Sequence, residues 1–149
     1  MRAAAFTLLV AVPLVVLLGA LVVPMVSGTS AELDRTTRNL AEGLRYTRSR
    51  ALHNNRPETF SLNARTREFQ VTDAGGVRRL PEAIEIVFFS TRENRTPRNG
   101  GIIRFFSDGS STGGRLELSA PGGRYLVNVD WLTGKVDVIE AVVDEAGER

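Results

Sequence analysis

Three patterns of apolar and polar positions follow one another along the chain. Residues 3–26 read AAAFTLLVAVPLVVLLGALVVPMV, an apolar run in which Thr7 carries the only polar side chain. From Ala31 to about Asn54 the apolar positions take helical spacing. Leu33, Leu40, Leu44 and Ala51 fall on one narrow stripe, while Asp34, Arg35, Arg38, Glu42, Arg45 and Arg48 occupy the other faces. Asn54-Asn55-Arg56-Pro57 then stops the helix, and the apolar period drops to two.

Beyond Pro57 the alternation predicts short strands. Phe60 and Leu62, a turn at 63–66, then Phe69 and Val71 read as a hairpin. Further strands are expected at 83–89 (AIEIVFF), 102–106 (IIRFF), 115–119 (RLELS), 124–130 (RYLVNVD) and 135–140 (KVDVIE). Polar or glycine-rich connections separate them, among them TRENRTPRNGG at 91–101, DGSSTGG at 108–114 and WLTG at 131–134. No helical stretch lies between strands, so parallel crossovers are excluded and the pairing should be antiparallel. The predicted fold class is α+β: one long N-terminal helix, then about seven strands in a sandwich over 55–140, then an acidic tail at 141–149. Leu33, Leu40 and Leu44 are expected to pack on a sheet that includes Ile84, Ile86 and Phe88.

As a helix, the first run would extend roughly 36 Å, enough to cross a hydrocarbon core of about 30 Å. It therefore predicts a single-pass membrane anchor reaching to about residue 27. A cleaved secretory signal is a competing reading, but the run is too long for one and Val-Ser-Gly at 26–28 is a poor exit site. A plain signal anchor is another. Thr29-x-x-Glu32 has the form of a capping box, so a helix could restart there or the first could continue.

Composition removes most chemistry. The 149 residues carry a formal charge of only +2, which gives no general drive toward nucleic acid. There is no cysteine, so disulfides, thiolate metal sites and cysteine nucleophiles are excluded. His53 is the only histidine, too few for a transition-metal site, and it would be the only possible base of a serine triad. Ser110, Ser111 and Thr112 lack a G-x-S-x-G context. Asp108 through Gly114 resemble a phosphate cradle in composition only, with no G-K-[ST] after them, and they offer calcium a single carboxylate. Arg92, Arg95 and Arg98, in the 91–101 loop, could contact phosphates but read more simply as solvated charge. No catalytic residue, metal or cofactor is expected.

Two motifs carry a resemblance. Ala5-Phe6-Thr7-Leu8-Leu9 is similar to the start of a prepilin, where a small residue precedes the cut and Phe-Thr-Leu leads into an apolar helix. The stretch 102–138, with Asp108, Gly109, Ser110, Ser111, Thr112, Gly113 and Gly114 in one loop and Leu132-Thr133-Gly134 in the last hairpin, resembles the C-terminal half of the H-type minor pseudopilins of type II secretion, GspH. The resemblance implies a structural subunit rather than an enzyme. It implies a leader at 1–5, cleavage between Ala5 and Phe6 by a prepilin peptidase, and methylation of Phe6. The helix 6–54, including Thr7, Leu8, Leu9, Val10, Gly19 and Pro24, would pass from the inner membrane into a pseudopilus, with the C-terminal domain in the periplasm. Partners would be other minor pseudopilins, the major pseudopilin and the peptidase. This chain has Ala5 where the family normally has Gly, and Val10 where it has Glu. A DNA-binding minor pilin of the FimT type, or a plain membrane-anchored periplasmic binding module, are the alternative readings.

Overall fold

The structure is a computed structural model that describes residues 3–71, 76–89 and 100–141, with side chains described from residue 28 onward. Helix α1 runs without a break over Ala3–Asn54. Thr29 therefore caps no second helix. The helix ends where Asn55 takes a positive φ of 49° and Pro57 follows, the left-handed exit that asparagine tolerates better than other side chains.

Among the described residues eight strands follow: β1 (Glu58–Asn63), β2 (Glu68–Val71), β3 (Arg78–Arg79), β4 (Glu85–Phe89), β5 (Gly101–Phe105), β6 (Gly114–Ala120), β7 (Gly123–Val129) and β8 (Val136–Ala141). They form two four-stranded sheets, ordered β3-β2-β1-β5 and β4-β6-β7-β8. Each pairing among the described residues is antiparallel. Strand β3 was not foreseen, because two arginines carry no alternation. Strand β4 starts two residues later than its apolar run, since Ile84 N donates to Pro81 O in a turn. Arg67, itself at φ 57°, donates to the carbonyls of Pro81 and Ile84, which ties the β1–β2 hairpin to the segment entering β4.

One core joins the helix to both sheets. Leu33, Leu40, Ala41, Leu44 and Ala51 from α1 meet Phe60, Leu62, Phe69, Ile103 and Phe105 from the first sheet. Phe88, Leu116, Leu118, Val127, Val129 and Val136 come from the second. Gly43 lets the helix settle on the stacked rings of Phe60 and Phe69, since a Cβ there would lie 3.3 Å from the Phe60 ring. Thr37 and Thr47 are buried among these apolar groups, and each hydroxyl donates to a carbonyl one turn back, Leu33 O at 2.8 Å and Gly43 O at 2.7 Å.

The membrane expectation is corrected. Among the described residues no helix is long and apolar enough to cross a membrane. Where side chains are described, at 28–54, the helix carries Glu32, Asp34, Arg35, Arg38, Glu42, Arg45, Arg48 and Arg50, and such a density of charge is incompatible with hydrocarbon. The single-pass inner-membrane placement with a periplasmic domain is accordingly withdrawn, and the fold is α+β with one helix and antiparallel sheets. Ala5, Phe6, Thr7, Leu8, Leu9, Val10, Gly19 and Pro24 belong to the part of α1 whose side chains lie outside the described residues.

Candidate functional site

The two loops singled out in the sequence lie against each other and against α1. Between β5 and β6, Asp108 Oδ1 accepts from Ser110 N at 2.9 Å and from Ser110 Oγ at 2.6 Å, a turn in which aspartate bonds the backbone two residues on. Those bonds hold its carboxyl below the ordinary 3.8. Between β7 and β8, Asp130 Oδ1 accepts from Thr133 N at 2.7 Å, Thr133 Oγ1 at 2.8 Å and Leu132 N at 3.1 Å. The same bonds from Thr133, followed by Leu132 and the charge of Lys135, lower Asp130 from its ordinary 3.8.

Cross-links fasten one loop to the other. Ser111 N donates to Trp131 O at 2.8 Å, and Ser111 Oγ donates to Asp130 O at 2.9 Å. Arg48, reaching from α1, donates through Nε to Thr133 O at 3.1 Å and to Gly109 O at 3.3 Å. One guanidinium thus bridges both loops to the helix. Gly134 makes the approach possible: its φ is +64°, and a Cβ would stand 2.2 Å from Gly109 O.

This geometry decides what the DGSSTGG loop can do. Gly109 N donates to Phe106 O, Ser110 N to Asp108, Ser111 N to Trp131 O, Thr112 N to Arg104 O and Gly113 N to Ser111 Oγ. These amide donors are spent inside the fold, so they cannot cradle a phosphate. The Ser111 hydroxyl is buried and donates to the carbonyl of Asp130. Among the described residues no group of three or more His, Cys, Asp or Glu could hold a metal. His53 is exposed at the helix end. Arg92, Arg95 and Arg98 lie outside the described residues.

Two arrangements escaped the sequence. Arg48 was placed on the faces away from the stripe, yet it lies four residues after Leu44 and three before Ala51, half-buried at the edge of the buried stripe. A charge on an apolar stripe was the available signal. Glu58, only 2% exposed, was also missed. Its Oε1 accepts from Asn54 Nδ2 and Arg56 Nε, both at 3.1 Å, with Arg50 at 3.6 Å. Burial alone would raise this carboxyl. The hydrogen bonds from Asn54 and Arg56, with the charges of Arg50 and Arg56, outweigh it and leave the group below its ordinary 4.5. The cluster locks the end of α1 to the start of β1.

The matched family model spans residues 36–134, from the buried stripe through Arg48 to the glycine that seats the second loop, and is described as Type II transport protein GspH. This chain belongs to the GspH family. The type II secretion system protein H of Xanthomonas campestris pv. campestris is 33% identical over 131 residues, which cover 87% of this chain and 77% of that protein. In fold the chain is similar to the minor pseudopilin EpsH from the type 2 secretion system of Vibrio cholerae, with a TM-score of 0.57 at 14% identity over 73% of this chain and 97% of that one. It is also similar in fold to the type IV minor pilin FimU of Pseudomonas aeruginosa, with a TM-score of 0.55 at 11% identity over 74% of this chain and 90% of that one. A GspH-family protein is a minor pseudopilin, a structural component of type II secretion that works among other pseudopilins and has no catalytic role. The bonds between the two loops and Arg48 are the internal fastening of such a subunit.

Proposed function

We propose that this minor pseudopilin stands at the tip of the pseudopilus in low copy number, with a mature chain that begins at Phe6. The observation that carries the proposal is Val10. In a bundle of apolar helices the free amine of an incoming subunit is costly unless a carboxylate on its neighbour pairs with it. Val10 stands where the family resemblance places that carboxylate, so this chain cannot neutralise a neighbour's amine. The defect costs least at the top of the filament, where no earlier subunit needs a partner. The fastened head suits the position: Arg48 and the Glu58 cluster join it to α1, so the helix and the head move as one body. Its neighbours would be the other minor pseudopilins and the first major pseudopilins, and the prepilin peptidase would process it between Ala5 and Phe6.

The test is the stoichiometry of purified filaments, with mass spectrometry of the N-terminal peptide. A few copies or fewer per filament and a start at Phe6 are expected. A ratio near one to the major pseudopilin, or crosslinks from position 10 between two copies of this chain, would overturn the tip assignment. An intact Met1 would overturn the processing.

A further inference from the structure

The outer face of the second sheet ends in a cleft that the fastened loops leave open. Its volume is about 380 Å³, within the range of roughly 300–1,000 Å³ typical of binding clefts. Phe89 from β4 and Trp131 from the last hairpin supply aromatic lining, and both are substantially exposed, at 43% and 62%. Gly113 and Gly114 also line it, and they present backbone without side chains. The backbone around Trp131 is held firmly: its carbonyl accepts from Ser111 N, and the next two amides donate to Asp130. A large aromatic side chain on an immobilised turn loses little entropy when it is covered, a property of strong contact residues.

The charges along the cleft are unequal in their partners. Glu117 is paired with Arg124 at 3.2 Å. Asp130 is occupied by three hydrogen bonds from its own turn. Arg115, exposed and lining the same cleft, has no ion-pair partner among the described residues. It lies on the outer face in register with Phe89 on one side and Asn128 on the other. From this arrangement we infer that the Phe89–Trp131 cleft is a docking site for another pseudopilin of the same secretion system. That subunit inserts an apolar side chain between Phe89 and Trp131 and sets a carboxylate against Arg115. The inference follows from the family membership of the chain and is independent of where along the pseudopilus the subunit stands.

Trp131 is the only tryptophan in the chain, which makes the cleft directly observable. The full chain would be labelled with 5-fluorotryptophan, giving one fluorine resonance, and titrated with each purified pseudopilin of its own system. One of them should shift that resonance and protect Trp131 from acrylamide quenching. Arg115→Glu should weaken this binding at least tenfold, and Phe89→Ser should do the same. Both positions are exposed, and circular dichroism would verify that the fold is kept. Arg104→Glu, exposed on β5 of the other sheet, should leave the affinity unchanged. The inference is overturned if no pseudopilin moves the resonance, if one binds without moving it, or if Arg115→Glu binds like the parent. It is equally overturned if Trp131 is already shielded in the free chain. Loss of that shielding on dilution would then identify a second copy as the occupant, and its persistence a segment of the same chain.

Discussion

Single positions carry an unusual share of this head. Gly134 sits at φ +64° with its hydrogen facing Gly109 O, so any side chain is strained and also strikes backbone. The left-handed conformation alone costs an L-residue about 1–2 kcal/mol. Gly134→Ala should therefore destabilise by at least about that amount, and thermal unfolding of the chain would measure it. The contact between Arg48 and the two loops should loosen at the same time, seen as faster hydrogen exchange at Ser111 N. Glu58 belongs to the same scale. Its depressed folded value means that the unfolded chain binds the proton more readily, so its contribution is fully present above the ordinary 4.5 and is lost as pH falls below it. Glu58→Ala should cost about 1.5–3 kcal/mol at neutral pH, the range for hydrogen bonds to charged groups. It should also flatten the acid limb of the stability curve. An unchanged acid limb would assign that limb to Asp108 and Asp130, whose carboxyls are lowered as well.

At the level of elements, α1 is the common support. Its buried stripe touches both sheets, and the buried hydroxyls of Thr37 and Thr47 are satisfied by carbonyls of the helix itself. Leu40 has no exposed surface and lies mid-stripe. Leu40→Ala removes buried methyl groups and leaves a cavity that two sheets and a helix cannot all close, so a loss of about 2–5 kcal/mol is expected. Chemical denaturation would read it as a lower midpoint with an unchanged slope. The strands show the opposite economy. β3 is two arginines long and is held by pairing with β2, where Arg79 Nη2 reaches Glu68 Oε1 at 3.1 Å.

For the whole molecule, the junction between the sheets is a point of close packing. Gly101 opens β5 in the first sheet, and a Cβ there would lie 2.0 Å from the ring of Phe88 in the second. Gly101→Ala should therefore push the sheets apart and cost about 1–3 kcal/mol, as overpacking does. Phe88→Leu in the same chain should recover part of that loss. A double-mutant cycle that showed simple additivity would mean that the two residues do not share the junction.

Much of this architecture was legible in the order of residues. The period of 3.6 over 33–51 and the period of 2 after Pro57 identified the helix, the first hairpin and the last three strands. Glycine, aspartate and serine marked the turns between them, because each local pattern is set by backbone geometry within a few residues. The motifs at 108–114 and 132–134 were visible for the same reason. Partnership across long separations was not. Strand order β3-β2-β1-β5 sends β5 back to β1 and leaves β4 to pair with β6, a choice made by which apolar faces can be buried together. The bonds from Arg48 to Gly109 and Thr133, the burial of Glu58 and the aromatic cleft at Phe89 and Trp131 depend on that choice. The Arg48 bonds and the cleft join residues tens of positions apart, and only the packing of both sheets on one helix brings them into contact.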